Sequence, residues 1–438
     1  MSLREILLIA VIGVLCVVAL FRPRIGLYGY VWYATMRPDV MAWCADQYPF
    51  SLALAVCTLL GSIPYLVSSV SRVWHSPITR CLIILQIPLA LSVVFAVVPS
   101  LADSLYLEYL KMIAVLLLIP LLIRSEADLR RLLLVVCFSL GMVGASFGLF
   151  GLIHGGVILT SGYGGMMSDN NLVALPLAML APLCWYVRDS VRSSIVRLAL
   201  LVILLLSIAT IVMTNSRGGT LALIIAVLLI LLRSQRKLAA VLIFALGSGV
   251  AIYLVRDEYL TRMATLQHYE NEESAASRIE HAKVAMRIWE DYPLFGVGFG
   301  GKNYAALAST YMEEENIHVA HNSYLQMLVD SGVLAFTIYI GLLIGTFIWL
   351  GRSARTAQRM HLKGHDIPLA IQASLVAFLV GGTFYSSQRY DLPYILLLCA
   401  AAWHKISGVA MELSEEEAEG AVSSNRTPHY LSVMNEVQ

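Results

Sequence analysis

The stretch that decides the fold runs from residue 198 to residue 232 and reads LALLVILLLSIATIVMTNSRGGTLALIIAVLLILL. Two apolar runs flank a short polar turn between Thr214 and Gly219. A hydrocarbon core of about 30 Å needs roughly 20 apolar residues per helix. Residues 196–213 and 218–232 are therefore candidate membrane helices, and the turn joins them at one membrane surface.

The composition of the whole chain agrees with this interpretation. Of the 438 residues, 58% are hydrophobic and 13% are charged. In a typical soluble domain, about 45–50% of the residues are apolar and about 25% are charged. This excludes an ordinary soluble enzyme. Thirty Lys and Arg against 29 Asp and Glu leave no basic field for nucleic acid, so no such partner is expected. The seven cysteines show no CxxC or Cys/His spacing, and neither a metal nor another cofactor is predicted.

Apolar runs that could cross a bilayer recur along the chain. They cover residues 3–21, 50–71, 80–99, 105–123, 130–151, 171–187, 196–213, 218–232, 238–255, 324–350, 367–385 and 392–406. A further apolar stretch, Ile25–Trp43, is interrupted at Arg37-Pro38-Asp39 and is either a short span or a re-entrant piece. We predict an all-α polytopic integral membrane protein with 12 or 13 transmembrane helices.

The charges of the short loops predict the orientation. Basic residues accumulate in alternate loops: Arg72, Arg80, Arg124, Arg130, Arg131, Arg188, Arg192, Arg197, Arg233, Arg236, Lys237, Arg352, Arg355, Arg359 and Lys363. The intervening loops 100–104 and 152–170 contain none. Because Lys and Arg are enriched in cytoplasmic loops, the basic loops are assigned to the cytoplasm and the others to the outer side.

The chain is expected to have four segments. These are an N-terminal transmembrane bundle (1–255), a large outer loop (256–322), C-terminal transmembrane helices (323–406) and a disordered cytoplasmic tail (407–438). Within the loop, the sequence SRIE at 277–280 has the form of a capping box. An amphipathic helix is therefore predicted over 277–291, with an apolar stripe at Ile279, Ala282, Met286 and Trp289.

Several arginines are predicted on the outer side, against the charge bias. Arg217 lies in the hairpin turn, Arg389 lies in the turn 386–392, and Arg37 joins them if its segment emerges outward. Each alone could be a surface residue, but charges at a membrane boundary are costly unless they are paired or used. Two glycines beside Arg217 would let its guanidinium project, and a planar guanidinium suits a diphosphate.

The outer loop ends in HVAHNSY at 318–324, directly before an apolar span. Asn322 or Ser323 can cap that helix, which places His321 at the positive end of the helix dipole. This position favours a neutral imidazole, which could act as a general base. A metal site at His318 and His321 is an alternative for which no third ligand is obvious.

Two other outer motifs have both a structural and a functional interpretation. Asp169 and Asn170 open a helix, so they either cap it or contact sugar hydroxyls. The sequence GVGFGG at 296–301 forms either a tight turn or a nest of backbone amides for a phosphate, with Lys302 beside it. A dinucleotide-binding unit is excluded because neither a preceding strand nor a βαβ pattern is present.

Taken in order, these motifs resemble the O-antigen ligase/polymerase superfamily of bacterial envelope glycosyltransferases. The resemblance covers roughly residues 20–400 and is carried by TNSRGG (214–219), Arg278 with WEDYPLFGVGFG (289–300), and HNSYLQ (321–326). The turn at Asp169 is similar to the superfamily's Asp-x-Asn turn, although Asn170 replaces the usual proline. Residues 22–43 are similar to a ligase branch associated with exosortase-linked O-glycosylation.

The resemblance implies a GT-C-type, metal-independent glycosyltransferase of the bacterial inner membrane, with an active site that faces the periplasm. It would act in lipopolysaccharide biosynthesis and transfer O-antigen glycan from undecaprenyl diphosphate to a hydroxyl of the lipid A–core oligosaccharide. A single displacement without an enzyme nucleophile predicts inversion at the anomeric carbon. Membrane lipids are the remaining expected partners.

The resemblance also assigns residues. The family's loop histidine corresponds to His321, which would be the base, and its essential turn arginine corresponds to Arg217. The other predicted contacts to the diphosphate or glycan are Arg278, Arg37, Arg389, Asp169, Asn170 and Lys302.

Other functions share part of this pattern. The motifs do not separate a ligase from an O-antigen polymerase or a protein O-oligosaccharyltransferase of the same superfamily. A lipid-linked glycan flippase or transporter would carry charges at mid-membrane and often inverted repeats. Only Glu108, Lys111 and Asp330 are predicted within spans, and no repeat is detectable, which favours an interfacial enzyme. The sequence indicates neither the glycan, the acceptor hydroxyl nor the oligomeric state.

Overall fold

The computed structural model describes residues 2–42, 44, 47–154, 162, 167–233, 236–266, 270–311 and 320–424. Side chains are described for the same residues except 72, 251–252, 254–278 and 411–424.

Helices make up the regular structure of these residues. They are α1 (Leu3–Phe21), α2 (Pro23–Met36), α3 (Pro38–Met41), α4 (Phe50–Ser69), α5 (Ser71–His75), α6 (Pro77–Val94), α7 (Pro99–Leu116), α8 (Leu118–Leu122), α9 (Glu126–Ile153), α10 (Asn170–Ser190), α11 (Ser194–Met213), α12 (Arg217–Arg233), α13 (Lys237–Leu266), α14 (Glu270–Asp291), α15 (Lys302–Tyr311), α16 (Ser323–Arg359), α17 (Asp366–Gly381) and α18 (Asp391–Ser424).

Nine stretches of the described helices are long and apolar enough to cross a membrane: α1, α4, α6, α7 with α8, α9, α10, α11, α16 and residues 391–410 of α18. The three other predicted spans coincide with α12, α13 and α17. Helix α12 has 17 residues, and the apolar parts of α13 and α17 are Lys237–Val250 and Asp366–Gly381. The prediction of a polytopic, all-helical membrane protein is confirmed, whereas the number of 12 or 13 spanning helices is not.

The helices run back and forth between two ends of a bundle. One end, here named the loop end, carries the connections α2–α4, α6–α7, α11–α12 and α17–α18, together with α14 and α15. Here the amide of Val97 donates to the carbonyl of Val297 (3.0 Å), and Asn170 Nδ2 donates to the carbonyl of Thr214 (2.8 Å). The connections of the outer arginines and of His321 therefore lie at the same end.

The opposite end, here named the basic end, carries the connections α8–α9, α10–α11 and α16–α17. Arg24 at the start of α2 pairs with Asp128 of α9 at 3.0 Å. Arg236 pairs with Asp189 of α10 at 2.9 Å. The loops that are rich in Lys and Arg therefore lie together, as the charge pattern predicts.

Helix α2 is too short to cross a bilayer. Its 14 residues span about 21 Å at 1.5 Å per residue, against a core of about 30 Å. The helix ends at Arg37, which has a left-handed backbone conformation (φ 50°), and Pro38 begins the single turn α3. The stretch from Ile25 is thus a short helix followed by a turn, and a hollow remains above it at the loop end.

Helix α16 is kinked at Gly332, whose φ of 75° and ψ of 176° are not helical. The kink frees two carbonyls of the helix. Val329 O accepts the amide of Val297 at 2.9 Å, and Asp330 O accepts the amide of Gly298 at 3.0 Å. The glycine-rich segment 296–301 is therefore attached to α16 through its own amides.

Replacing Gly332 with alanine is expected to destabilise the protein. A Cβ at this position would overlap the carbonyl of Leu294, and the left-handed backbone alone costs a non-glycine residue about 1–2 kcal/mol. The melting temperature of the purified protein in detergent tests this. Gly341→Ala, a helical glycine of α16 whose Cβ would meet open space, is the matched control, and equal melting of the two variants would contradict the prediction.

The predicted boundaries and face of the loop helix need correction. Helix α14 begins at Glu270, so Ser277 lies inside it and is not its cap. Ile279 and Met286 are 59% and 37% exposed rather than on the packed face. Among residues 279–291, the part of α14 with described side chains, the buried residues are His281, Val284, Ala285 and Ile288. This face is selected by packing against Val297, Tyr304 and Val329, which local periodicity does not reveal.

Two helices extend past the predicted segment limits. Helix α13 continues to Leu266, beyond the expected start of the outer loop at residue 256. Helix α18 continues to Ser424, through the first part of the segment expected to be a tail. Residues 425–438 lie outside the described residues.

Candidate functional site

A polar cavity of about 730 Å³ lies at the loop end, in the hollow above α2. Its charged lining residues are the cations Arg37, Lys111 and Arg389 and the acids Asp39, Glu108 and Asp391. Two of the predicted arginines, Arg37 and Arg389, thus share one cavity. Tyr30, Tyr33, Tyr48 and Tyr109 contribute hydroxyl groups and apolar ring surface to the same walls. Such a lining suits a ligand with both phosphate and sugar groups.

Arg37 is held rigidly in this cavity. Its Nε donates to Asp39 Oδ1 at 3.1 Å and its Nη2 donates to Asp39 Oδ2 at 2.9 Å. Asp39 is 2% exposed, whereas the Arg37 side chain is 24% exposed. Because a buried carboxylate requires a partner, this bidentate pair fixes the guanidinium at the cavity wall. Arg37 therefore has a fixed position at the cavity wall.

Lys111 and Glu108 lie on α7, where the sequence predicts a membrane span. Both line the cavity, and none of the ion pairs of the described residues joins them. The short α2 brings water-accessible space to their depth, which explains how α7 carries two charges. Lys111 lines the same cavity as Arg37 and Arg389, which the sequence does not reveal.

Tyr48 lies at the rim of the cavity, in the connection before α4. Its hydroxyl donates to Glu5 Oε1 of α1 at 3.0 Å. This hydrogen bond raises the pKa of the Tyr48 hydroxyl. The same hydrogen bond ties α1 to the rim of the cavity.

Arg217 is exposed at the loop end as the first residue of α12. Asn215 reverses the chain with a left-handed φ of 49°, and Ser216 Oγ accepts the amide of Gly219 at 3.1 Å. The positive end of the α12 dipole therefore lies beside the guanidinium. A helix N-terminus with an arginine favours an anion such as a diphosphate.

The two glycines that follow Arg217 have a packing role. A Cβ on Gly218 would overlap the Tyr385 ring, and a Cβ on Gly219 would overlap Ala174 of α10. The sequence suggested that these glycines give the guanidinium freedom to project. The structure shows that they let the turn approach α10 and Tyr385 closely.

His321 is exposed and has a left-handed backbone with φ 49°. The next residue, Asn322, caps α16: its Oδ1 accepts the amides of Tyr324 at 2.9 Å and Leu325 at 3.1 Å. The predicted cap is confirmed, and His321 precedes the positive end of a helix dipole.

A second histidine stacks on His321. The ring centroids of His281 and His321 are 5.8 Å apart and their planes differ by 15°. His281 is 7% exposed, and its Nδ1 atom is buried without a described hydrogen-bond partner. Sequence reasoning missed His281 because the buried face of α14 was misjudged.

Tyr385 connects the Arg217 turn with the His321 turn. Its hydroxyl forms a hydrogen bond with Ser216 Oγ, and its carbonyl accepts Ser323 Oγ at 2.6 Å. Ser323 also donates its amide to the carbonyl of Gly382 at 2.7 Å. Both turns are therefore attached to the α17–α18 connection, the segment that also carries Arg389.

A buried carboxylate organises the same region. Asp330 is 1% exposed, and its two oxygens accept Gln326 Nε2 at 2.8 Å and Gln388 Nε2 at 3.3 Å. Gln326 Oε1 accepts the amide of Ala320 at 2.7 Å. This network holds the residue before His321 and the residue before Arg389 against α16. Asp330 thus links α16 to the segments that carry His321 and Arg389.

The other predicted residues are less closely connected. Asp169 is exposed and caps α10 through Leu172 (2.9 Å), which supports the structural interpretation, whereas Asn170 contacts the Arg217 turn. Lys302 is exposed on α15 and does not line the cavity. The backbone of Arg278 lies in α14, but its side chain lies outside the described residues.

The backbone contacts of segment 296–301 separate the two interpretations of that segment, a tight turn and a phosphate nest. The amides of Val297 and Gly298 already donate to α16, which favours the tight turn over a phosphate nest at 296–301. His318 lies outside the described residues. Among the side chains that the structure describes, no group of three or more His, Cys, Asp and Glu is placed to hold a metal ion.

A family model described as O-antigen ligase matches residues 201–340. This range contains the Arg217 turn, Arg278 and His321. Residues 201–340 of the chain are therefore similar to the O-antigen ligase family, as the order of the sequence motifs predicts. A second model, described as a family of unknown function, matches residues 3–173. No curated protein matches the chain.

The O-antigen ligase match and the cavity occupy different parts of the chain. Arg217 and His321 lie inside the matched range 201–340. Arg37 and Lys111 belong to the range of the second model, and Arg389 lies beyond both. The α17–α18 connection joins the two parts, because Tyr385 contacts the Arg217 turn while Arg389 lines the cavity.

Proposed function

We propose that this protein is a metal-independent, inverting GT-C-type glycosyltransferase that transfers O-antigen glycan from undecaprenyl diphosphate to a hydroxyl of lipid A–core. One observation carries the proposal: the O-antigen ligase range holds Arg217 and His321 on turns that are attached to the connection bearing Arg389, and Arg389 lines the polar cavity together with Arg37.

The reaction begins with a hydroxyl of the acceptor sugar. Its oxygen attacks the anomeric carbon of the donor glycan while His321 removes the hydroxyl proton, and the bond from the anomeric carbon to the diphosphate oxygen breaks. The products are the new glycosidic bond and undecaprenyl diphosphate. A neutral imidazole at an exposed helix N-terminus is suited to accept that proton. Inversion follows because one displacement occurs.

The cations act on the leaving group. Negative charge develops on the diphosphate as the bond breaks, and preorganised donors in a site of low dielectric stabilise it most. Arg217 at the N-terminus of α12 and Arg278 of α14 are the proposed donors. Arg37, which is fixed by Asp39, and Arg389 would bind the diphosphate from the cavity side.

The orientation of the bundle supports a periplasmic site. The basic end collects the loops that are rich in Lys and Arg, and such loops stay in the cytoplasm. The loop end, with the cavity and His321, would then face the periplasm of a bacterial inner membrane. No nucleotide is needed there, because a lipid-linked donor carries its own leaving group.

A transfer assay with purified protein tests the proposal. The full chain in lipid vesicles is incubated with glycan linked to undecaprenyl diphosphate and with lipid A–core. We expect one glycan per acceptor and inverted anomeric configuration in the product. A ladder of repeats without lipid A–core would indicate a polymerase instead. Movement of the donor across the vesicle membrane without transfer would indicate a flippase and overturn the proposal.

Arg37 provides a more specific prediction on donor binding. Arg37→Gln combined with Asp39→Asn removes the ion pair without leaving an unpaired buried charge. Because a hydrogen bond to a charged group contributes about 1.5–3 kcal/mol, the Kd for the lipid-linked donor is expected to rise about tenfold or more. Arg22→Gln, at the opposite end of α2, is the control and should bind normally. An unchanged Kd in the double variant would exclude Arg37 from the donor site.

A further inference from the structure

An apolar groove of about 830 Å³ runs between α1, α2 and α9. On α2 its lining extends from Ile25, near the basic end, to Met36. These residues lie about 16 Å apart along the helix at 1.5 Å per residue, which is about half of a 30 Å hydrocarbon core. The groove is therefore about as deep as one leaflet.

A second cavity, of about 690 Å³, lies at the basic end. It is enclosed by the start of α9, the end of α10 and the α16–α17 connection. Its charged lining residues are Arg130, Arg131, Arg192 and Lys363 against Glu126 and Asp366, and His361 and His365 also line it. With neutral histidines the lining carries an excess of two positive charges. The cavity is named here the basic cavity.

Both carboxylates of the basic cavity already have partners. Glu126 pairs with Arg130, and Asp366 Oδ1 lies 3.2 Å from His365 Nε2. None of the ion pairs of the described residues includes Arg192 or Lys363. Because the four cations of the lining outnumber its two carboxylates, positive charge remains available to an anion at these two side chains.

Contacts between the enclosing elements hold the residues of the basic cavity in place. The Arg130 side chain is 21% exposed and donates to the carbonyl of Ser190 as well as to Glu126. Gly364 has a φ of 81°, and a Cβ there would overlap the Glu126 side chain. The α16–α17 connection is thus packed closely on α9, which holds Lys363 at the cavity.

The groove and the basic cavity are continuous. Leu134 of α9 lines both of them, and Arg131 lies one turn before it. A molecule with a phosphate group and an apolar chain can therefore occupy both at once. A free anion would fill the cavity alone, and a neutral lipid would fill the groove alone.

We propose that one anionic phospholipid from the leaflet at the basic end binds here. Its phosphate lies against Arg192 and Lys363, next to the ion pair of Arg131 with Asp128 (3.0 Å), and one acyl chain lies in the groove beside Trp32. Basic cavities between membrane helices recognise such headgroups. The lipid would support α2, whose other end carries Arg37. This proposal does not depend on the proposed function.

Fluorescence quenching tests the proposal with the full-length protein in detergent. The probe is phosphatidylglycerol with brominated acyl chains, which quenches tryptophans that its chains contact. We expect saturable quenching that is lost in Trp32→Phe, and much weaker quenching with brominated phosphatidylcholine. Equal quenching by the two lipids would overturn the proposal.

Charge variants locate the headgroup. Arg192→Gln with Lys363→Gln is expected to raise the half-quenching concentration of phosphatidylglycerol about thirtyfold, since each basic residue contributes on the order of one kcal/mol near an anionic surface. Arg352→Gln with Arg355→Gln removes the same charge from exposed residues of α16 that do not line the basic cavity, and should have no effect. An equal loss in both pairs would show nonspecific attraction and contradict the site.

A variant that fills the acyl-chain groove and a competing anion together distinguish a bound lipid from free phosphate. Ala10→Phe, which fills the groove, should abolish the Trp32 quenching, and its retention would contradict acyl binding. Inorganic phosphate should not displace the lipid at equal concentration. Displacement by inorganic phosphate would show a free-anion site and overturn the proposal. Elution as a single species verifies that each variant is folded.

Discussion

Replacement of His321 by alanine is expected to abolish glycan transfer while the donor still binds. A positioned general base contributes typically about 10²–10⁴ in rate, and the acceptor hydroxyl would lose its proton acceptor in the variant. The imidazole precedes the N-terminal cap of α16, Asn322, and does not line the polar cavity that contains Arg37. The turnover rate at saturating donor should therefore fall by at least about a hundredfold, with a nearly unchanged Kd for the lipid-linked donor.

The control for this variant is His154→Ala. His154 is exposed at the end of α9, also at the loop end. It should transfer glycan at the wild-type rate. Added imidazole should partly restore turnover to the His321 variant, because the missing group is a proton acceptor. Wild-type transfer by the His321 variant would remove the base from the proposal, and loss of donor binding would assign His321 to the donor site instead.

Replacement of Arg217 by alanine is expected to lower turnover by about 10²–10³. This is the typical effect of removing one donor that stabilises a developing anion, about 3–4 kcal/mol. Arg217→Lys should recover part of the rate, since lysine keeps the charge but loses the planar pair of donors. Measurement of kcat and of donor affinity separates stabilisation of the leaving group from simple binding.

The matched control for Arg217 is Arg233→Ala, at the other end of the same helix. The two residues bound α12 and lie about 24 Å apart along its axis at 1.5 Å per residue. The Arg233 variant should be fully active. If Arg217→Ala lowers donor affinity and turnover by the same factor as Arg233→Ala, the loss reflects an effect on the bundle and contradicts a role in the reaction.

The parts of the fold that depend on local sequence could be predicted. Long apolar runs place twelve helices, because each run alone is enough to make a helix the favourable structure in a bilayer. The caps at Asp169 and Asn322 follow from a polar residue before an apolar run. The common location of Arg217 and His321 at one end follows from the alternation of basic loops.

The cavity could not be predicted, because it depends on contacts between distant segments. It exists because α2 stops at Arg37, and Arg37 is held by Asp39. The interruption at Arg37-Pro38-Asp39 is visible in the sequence, but the hollow that it creates is not. Lys111 enters the same space from α7, a segment far along the chain. His281 was missed because the face of α14 is set by Val297 and Tyr304, not by its own periodicity.

Helix α2 stops about two thirds of the way across the bilayer. A substrate anchored by a long isoprenoid would therefore not have to be lifted out of the membrane to meet Arg37. Its polar head would enter the cavity laterally, and its isoprenoid tail would remain in the bilayer. The short helix α2 would thus leave a lateral entrance from the bilayer to the polar cavity.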